Sequence, residues 1–271
     1  GCTGSGAAIA IGISALQTSS NTDTIGIGNN ARSLGQYSIS IGSYAGHTAN
    51  NGSWGCIGIG WKAKYNGNSG NYNIAIGRNA AYSNQKGWAI AMGENAGYNA
   101  QGNYSVAIGR QAGEQYQQDY AVAIGAYAGQ NGNQGGYSIA IGYEAGNDGQ
   151  DTDGIAIGYQ AGKTNQGNGE TRTVAIGHCA GTSNQGKRSV AIGAHSGAYT
   201  QGTYCVAIGQ NSGQNGQKTT SVAIGYNAGL SNQPANTIIL NATGDEMNGA
   251  ASTGDGVGAQ TDAFYVKPVR S

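Results

Sequence analysis

A tetrapeptide of the form Val106-Ala107-Ile108-Gly109 returns fourteen times in this chain with small changes. Its closing glycine stands at positions 12, 28, 42, 60, 77, 93, 109, 125, 142, 158, 177, 193, 209 and 225, so the spacing is 14 to 19 residues and most often 16. A chain with a fixed short period folds as a stack of near-identical coils, each in contact with its neighbours. Within one copy, Val106 and Ile108 alternate with Ser105 and Ala107, which is the period of a short strand. Val106 and Ile108 point to one side. The other side takes Ala in most copies, Ser40 in one and Gly26 and Gly58 in two. A restriction to small residues predicts that this side is confined as well.

Ala112 and Gly113 begin a second small-residue segment, and runs such as Ser183-Asn184-Gln185-Gly186 read as turns to the next coil. Sixteen residues suit two short strands and two turns, a flattened roll. Coils pairing in parallel at about 4.8 Å predict an all-β, parallel β-roll or β-solenoid of about fourteen coils, a rod roughly 65 Å long. Two large aliphatics per coil contribute about 3 to 6 kcal/mol gross, less than ordering sixteen backbones costs. A lone roll is under-packed on this count, and three copies sharing an apolar seam would complete it.

Composition narrows the function classes. Gly supplies 51 of 271 residues and Pro only 2, without the period of three that collagen requires. Gly-rich disorder would not hold an Ile-Gly pair in register over this length. Charged residues make up 10% and the net charge is zero, so no basic face for nucleic acid or for an anionic membrane is expected. Apolar runs such as Thr237-Ile238-Ile239-Leu240 are too short to span a bilayer. The start, Gly1-Cys2-Thr3-Gly4, has neither an initiator Met nor an apolar signal core and reads as the broken or processed end of a longer chain.

No catalytic constellation, metal site or cofactor is expected. Cys2, Cys56, Cys179 and Cys205 form no CxxC pair and read as small side chains in place of Ser. His178 and His195 lie on adjacent coils, but no carboxylate or cysteine repeats alongside them to complete a ligand set. Asp148, Asp151 and Asp153 cluster in one turn and read as a solvated loop rather than the paired carboxylates of a glycosidase. Aromatics do recur at one place. Tyr37, Tyr72, Trp88, Tyr104, Tyr120, Tyr137 and Tyr204 all stand five residues before the motif glycine, and Trp61, Tyr143, Tyr159 and Tyr226 directly follow it. Stacked coils turn each set into a ladder. It is either a strip for a glycan or receptor or a structural stack of like residues.

Ser105-Val106-Ala107-Ile108-Gly109 and Ser189-Val190-Ala191-Ile192-Gly193 resemble the head repeats of trimeric autotransporter adhesins, the YadA-like head. The resemblance covers residues 7 to about 230. It implies a left-handed parallel β-roll in each protomer, a homotrimer and a place outside the cell or on a virion. This chain departs in period, with the added length in the turn. The segment Ala263-Phe264-Tyr265-Val266-Lys267-Pro268-Val269-Arg270-Ser271 resembles the junction before the self-cleaving chaperone of phage and large-virus tail fibres, which implies that Ser271 is a processed end. The expected organisation is a repetitive shaft over 1–235 and a non-repetitive cap or junction over 236–271. The expected function is a non-enzymatic trimeric fibre for host attachment. A bacterial adhesin or matrix filament and a polysaccharide-cutting tailspike are the alternatives.

Overall fold

In the computed structural model the described residues are 7–16, 23–32, 35–47, 53–66, 70–167, 172–243, 245–248 and 264–267. Cys2 and Ser271 therefore lie outside the described residues. The chain divides into two compact units, Gly1–Tyr137 and Ser138–Ser271. Each is a parallel β-solenoid, the expected class, and the described residues contain no helix. It follows that no helix is long and apolar enough to cross a membrane.

In the first unit the motif strands are β1 (Ala8–Ile11), β2 (Thr24–Ile27), β3 (Ile39–Ile41), β4 (Ile57–Ile59), β5 (Ile74–Ile76), β6 (Ile90–Met92), β7 (Val106–Ile108) and β8 (Val122–Ile124). Successive strands pair in parallel with motif over motif: Val106 on Val122, Ala107 on Ala123, Ile108 on Ile124. The opposite side of the coils is held by single bridges, Asn66 to Ser83, Ser83 to Asn99 and Asn99 to Gln115.

The second unit has the same two sides. Motif strands β9 (Ile139–Ile141), β11 (Ile155–Ile157), β13 (Val174–Ile176), β15 (Val190–Ile192), β17 (Val206–Ile208) and β18 (Val222–Gly225) form one sheet. Strands β10 (Asp148–Gln150), β12 (Thr164–Gln166), β14 (Ser183–Gln185) and β16 (Tyr199–Gln201) form the other. The recognisable motif ends at Gly225, yet β19 (Ile238–Asn241) and β20 (Phe264–Lys267) continue the first sheet in register. Ile239 pairs with Ala223 and is fully buried beside Ala223 and Ala228, with Met247 and Tyr265 packed against them.

The interior is filled by small residues and amides, not by the motif aliphatics. Val106 and Ile108 are only half-buried on the outside of the coil. The inside holds Ser105, Ala107, Ala112 and Gln117, all buried. Gln117 stands eight residues after its motif glycine, and Gln85, Gln101, Gln150, Gln166, Gln185, Gln201, Gln217 and Gln233 hold the same place in other coils. Ser183-Asn184-Gln185, expected as a turn, is strand β14, and Gln185 points inward from it. Its amide Nε2 donates to the Val174 carbonyl at 2.8 Å and to the Ser189 carbonyl at 3.3 Å, bracing its coil from within. Gln117 does the same to Val106 (2.9 Å) and Ala121 (3.2 Å). A buried donor costs free energy unless it is paired, and the inward carbonyls of so thin a coil pair each amide Nε2, while Gln117 Oε1 makes no hydrogen bond.

Volume inside one coil is conserved by exchange. Gly113, at φ +52, is the usual residue four after the motif glycine, and a Cβ there would come within 3.0 Å of the Gln117 amide. The Gly12 coil instead puts Leu16 at this place, 3% exposed. The strand residue opposite is then Gly26, whose Cβ would meet Leu16 Cγ at 2.6 Å. That explains one departure from Ala in the motif.

The Gly60 coil puts Lys64 there, with Asn68 rather than Gln further on. Lys64 is fully buried and its Nζ makes no hydrogen bond of normal geometry. Burial pushes its pKa below the ordinary 10.5, while the neighbouring Cys56 thiol pulls the other way. A lysine held low binds fewer protons folded than unfolded, so its contribution to stability rises with pH between the lowered value and 10.5. Each unit of depression is about 1.4 kcal/mol. Wild type should therefore gain melting temperature over Lys64→Met as pH climbs from neutral toward 10.5. A difference that stays flat across that range would mean that the amine reaches solvent.

Candidate functional site

The turns are built from left-handed residues that need not be glycine. The residue two after the motif glycine has positive φ throughout, as at Gln111 (55), Cys179 (53) and His195 (56). The aromatic position five before the motif glycine is left-handed too: Tyr37 (57), Tyr72 (55), Trp88 (55), Tyr104 (56), Tyr120 (62), Tyr137 (59) and Tyr204 (60). Bulky residues rarely take this conformation, and Arg188 (54) and Thr220 (57) take it at the same place, so the coil geometry imposes it; five of the seven rings also stack. Tyr72, Trp88, Tyr104, Tyr120 and Tyr137 form one continuous run, with centroids 5.7, 5.1, 5.0 and 4.9 Å apart and the last three pairs within 10° of parallel. Aromatic pairs of this kind contribute about 0.5 to 1.5 kcal/mol each beyond area burial.

All seven of these residues are exposed, between 46% and 61%. In the run, however, the flat faces are turned on each other at coil spacing, so the ring edges and phenol hydroxyls are what point outward. Tyr37 stands apart from the run, because the next coil carries Gly55 at the same place and the Tyr72 ring lies against that glycine. Tyr204 is also separate. Its hydroxyl accepts from Arg188 Nη1 at 2.8 Å, and the guanidinium lies 5.6 Å from the ring centroid.

The second expected ladder is present in part, as Tyr143, Tyr159 and His178 with centroids 5.3 and 5.0 Å apart. His178 meets His195 edge-on at 5.1 Å. Beside it, Glu144 and Lys163 pair at 2.6 Å. The hydrogen bond from Lys163, with a further one from Gln160, holds the Glu144 carboxyl below its usual pKa against the opposing effect of burial.

A third ladder was not anticipated. His47, Tyr65, Tyr82 and Tyr98 stack at 5.2, 5.1 and 4.8 Å, half-buried, with Lys62 Nζ 5.1 Å from the Tyr65 centroid. Burial, then the Tyr82 and Glu114 charges, raise the Tyr98 pKa. All four stand five residues after their motif glycine, so the same alignment that exposed the first two ladders contains this one. Asparagine ladders run beside the rings, as in Asn79 Nδ2 to Asn95 Oδ1 at 3.1 Å and Asn211 Nδ2 to Asn227 Oδ1 at 3.0 Å.

Of the three described cysteines, all expected in place of Ser, Cys56 and Cys205 are buried free thiols four residues before the motif glycine, whereas Cys179 is half-exposed two residues after it. That place is serine in five other coils, Ser38, Ser105, Ser138, Ser189 and Ser221, all buried. Cys205 Sγ donates to the Lys218 carbonyl at 2.9 Å, and burial pushes its pKa up.

A family model of the YadA head domain repeat matches residues 19–45, 89–112 and 185–212, so the chain carries repeats of this type in both units. Comparison with curated proteins and with solved structures finds no match.

Proposed function

We propose that this chain is a non-enzymatic, adhesin-like fibre segment that works as a homotrimer on a cell or virion surface. Its tyrosine run supplies contacts to a host glycan or receptor. The observation that carries this reading is the uncovered aliphatic row. Ile90, Val106, Ile108, Val122 and Ile124 are only partly buried, Met92 is exposed, and all stand one above the next on the outside of the coils. An apolar strip of that kind, continued coil after coil, is what soluble monomers avoid and what a self-associating surface provides. The YadA-type repeats support three-fold association of this strip. For the ligand, a row of half-exposed tyrosines at coil spacing offers a polymer many equivalent weak footholds, which add by avidity. Because the ring faces are stacked, those footholds are hydroxyls and ring edges.

Light scattering should give three times the chain mass of 27.2 kDa. The double change Ile108→Asp with Ile124→Asp should dissociate the assembly, since burying each carboxylate costs several kcal/mol. Arg110→Asp, at an exposed turn position, should leave it intact. A wild-type mass of one chain would overturn the trimer. On a glycan array, changing Tyr104, Tyr120 and Tyr137 together to Asn, which tolerates left-handed backbone, should remove binding without changing the mass. Binding that survives would place the ligand elsewhere on the coil.

A further inference from the structure

One cluster is used neither by the ladders nor by the aliphatic row. In the second unit the residues two after the motif glycine, Glu144, Gln160, Cys179 and His195, follow one another on successive coils, all left-handed. This conformation brings the Cys179 and His195 side chains to the same side as His178. One ligand atom from each of His178, Cys179 and His195 lies within 4.8 Å of the other two. The reading from sequence passed over this set because it looked for a repeating partner. Cys179 does not repeat, but it is stacked directly under His195 at the same coil position.

We infer that His178, Cys179 and His195 form a binding site for a borderline divalent cation of the Zn2+ class, with two nitrogens and one thiolate as ligands. The chemistry of the set selects the ion. Imidazole and thiolate together suit Zn2+ and its neighbours and disfavour Mg2+ and Ca2+, which require oxygen. Tetrahedral coordination needs Zn–S of about 2.3 Å and Zn–N of about 2.0 Å, so the three ligand atoms must close by a small rotamer adjustment from their present spacing.

None of the three is locked in a core: His178 is exposed, and Cys179 and His195 are half-exposed. The Cys179 thiol faces Gln160 Oε1 at 3.7 Å, and Gln160 Nε2 donates to Glu144 Oε2 at 2.8 Å. That chain fixes the amide with its oxygen toward the sulfur, leaving the fourth coordination position to water or to this oxygen. Binding releases one proton: the Cys179 thiol and the dication become a metal thiolate and a hydrogen ion. Because His178 and Cys179 lie on one coil and His195 on the next, the ion would staple two coils whose backbones already pair through the 2.8 Å bond from His195 N–H to the His178 carbonyl.

The test is titration of untagged, reduced protein with Co2+ as the spectroscopic probe. The expected result is saturation at one ion per chain, with a thiolate-to-cobalt charge-transfer band in the near ultraviolet and visible bands of four-coordinate cobalt. Added Zn2+ should bleach both. Variants that restore the residue of a neighbouring coil keep the fold: Cys179→Gln after Gln160, His195→Asn after Asn211, and His178→Tyr after Tyr159. Cys179→Gln should abolish the charge-transfer band. Each of the three should weaken binding more than about 100-fold, since loss of an outer-shell partner alone costs about 10- to 100-fold. No band up to millimolar Co2+, or affinity that survives Cys179→Gln or His195→Asn with circular dichroism unchanged, would overturn the site.

Discussion

Gly109→Val is expected to unfold the coils around β7, with a cost above about 4 kcal/mol, beyond the ordinary range for a point substitution. Two independent facts lead there. The residue has φ +129, which β-branched residues do not adopt, and a Cβ built on it lies 2.6 Å from the Gly125 carbonyl oxygen. The obstacle is backbone of the next coil, so no side chain can move aside. The coil on the other side is fitted as closely, with a Cβ on Gly93 falling 2.5 Å from the Gly109 oxygen. The motif glycines are therefore a column of backbone in direct contact, and widening one step would break the parallel pairing on both sides of it. The control is Gln111→Gly, two residues on, at φ 55. It relieves a left-handed strain of about 1 kcal/mol or more and should be neutral or stabilising. Thermal melting by circular dichroism separates the two. A Gly109→Val protein that melts within about 4 °C of wild type, roughly 1 kcal/mol for a chain of this size, would show that the coils can spread.

Much of this architecture was legible from the period alone. The register of Val106 on Val122 and the confinement of Ala107 both follow from a motif that recurs at 16-residue intervals and admits only small residues at one place. The interior was not legible, and the reason is physical. Alternation puts Val106 and Ile108 on one side of the strand, and runs such as Ser183-Asn184-Gln185-Gly186 read as turns, whereas the thin coil is filled inside mostly by Ala, Ser and one extended amide. The aliphatics are therefore left to a surface that a second chain can cover. The stacked faces of Tyr104 and Tyr120 were equally hidden. Spacing places the rings in line but does not show that they lie face to face, 9° from parallel at 5.0 Å, on a left-handed backbone. Cys179 joined His178 and His195 for the same reason, through a backbone conformation that residue identity does not announce.

The buried glutamine gives the sharpest ordering of variants. At neutral pH, stability should fall in the order wild type, Gln117→Leu, Gln117→Ala, Gln117→Glu. Leucine keeps most of the volume and forfeits two hydrogen bonds, from Nε2 to Val106 and Ala121. The Ala121 carbonyl also accepts the Val106 N–H at 2.9 Å, so it is not orphaned, and the combined loss is about 1 to 3 kcal/mol. Alanine adds an empty space between the two walls, and large-to-alanine changes in cores run to about 2 to 5 kcal/mol. Glutamate is worst, because it sets a buried carboxylate against two carbonyl oxygens with no donor to offer them. Its pKa must rise, and a carboxyl raised in the folded state binds more protons folded than unfolded. Stability of Gln117→Glu should therefore recover as pH falls toward about 4.3, the ordinary glutamate value, where the protonated acid donates one hydrogen bond. Wild type has no titrating group at this place and lacks that term. Melting curves of the four proteins at neutral and acid pH read the order directly. If Gln117→Leu melts at or above wild type, the amide contributes only volume, and the bracing of each coil by its own glutamine is wrong.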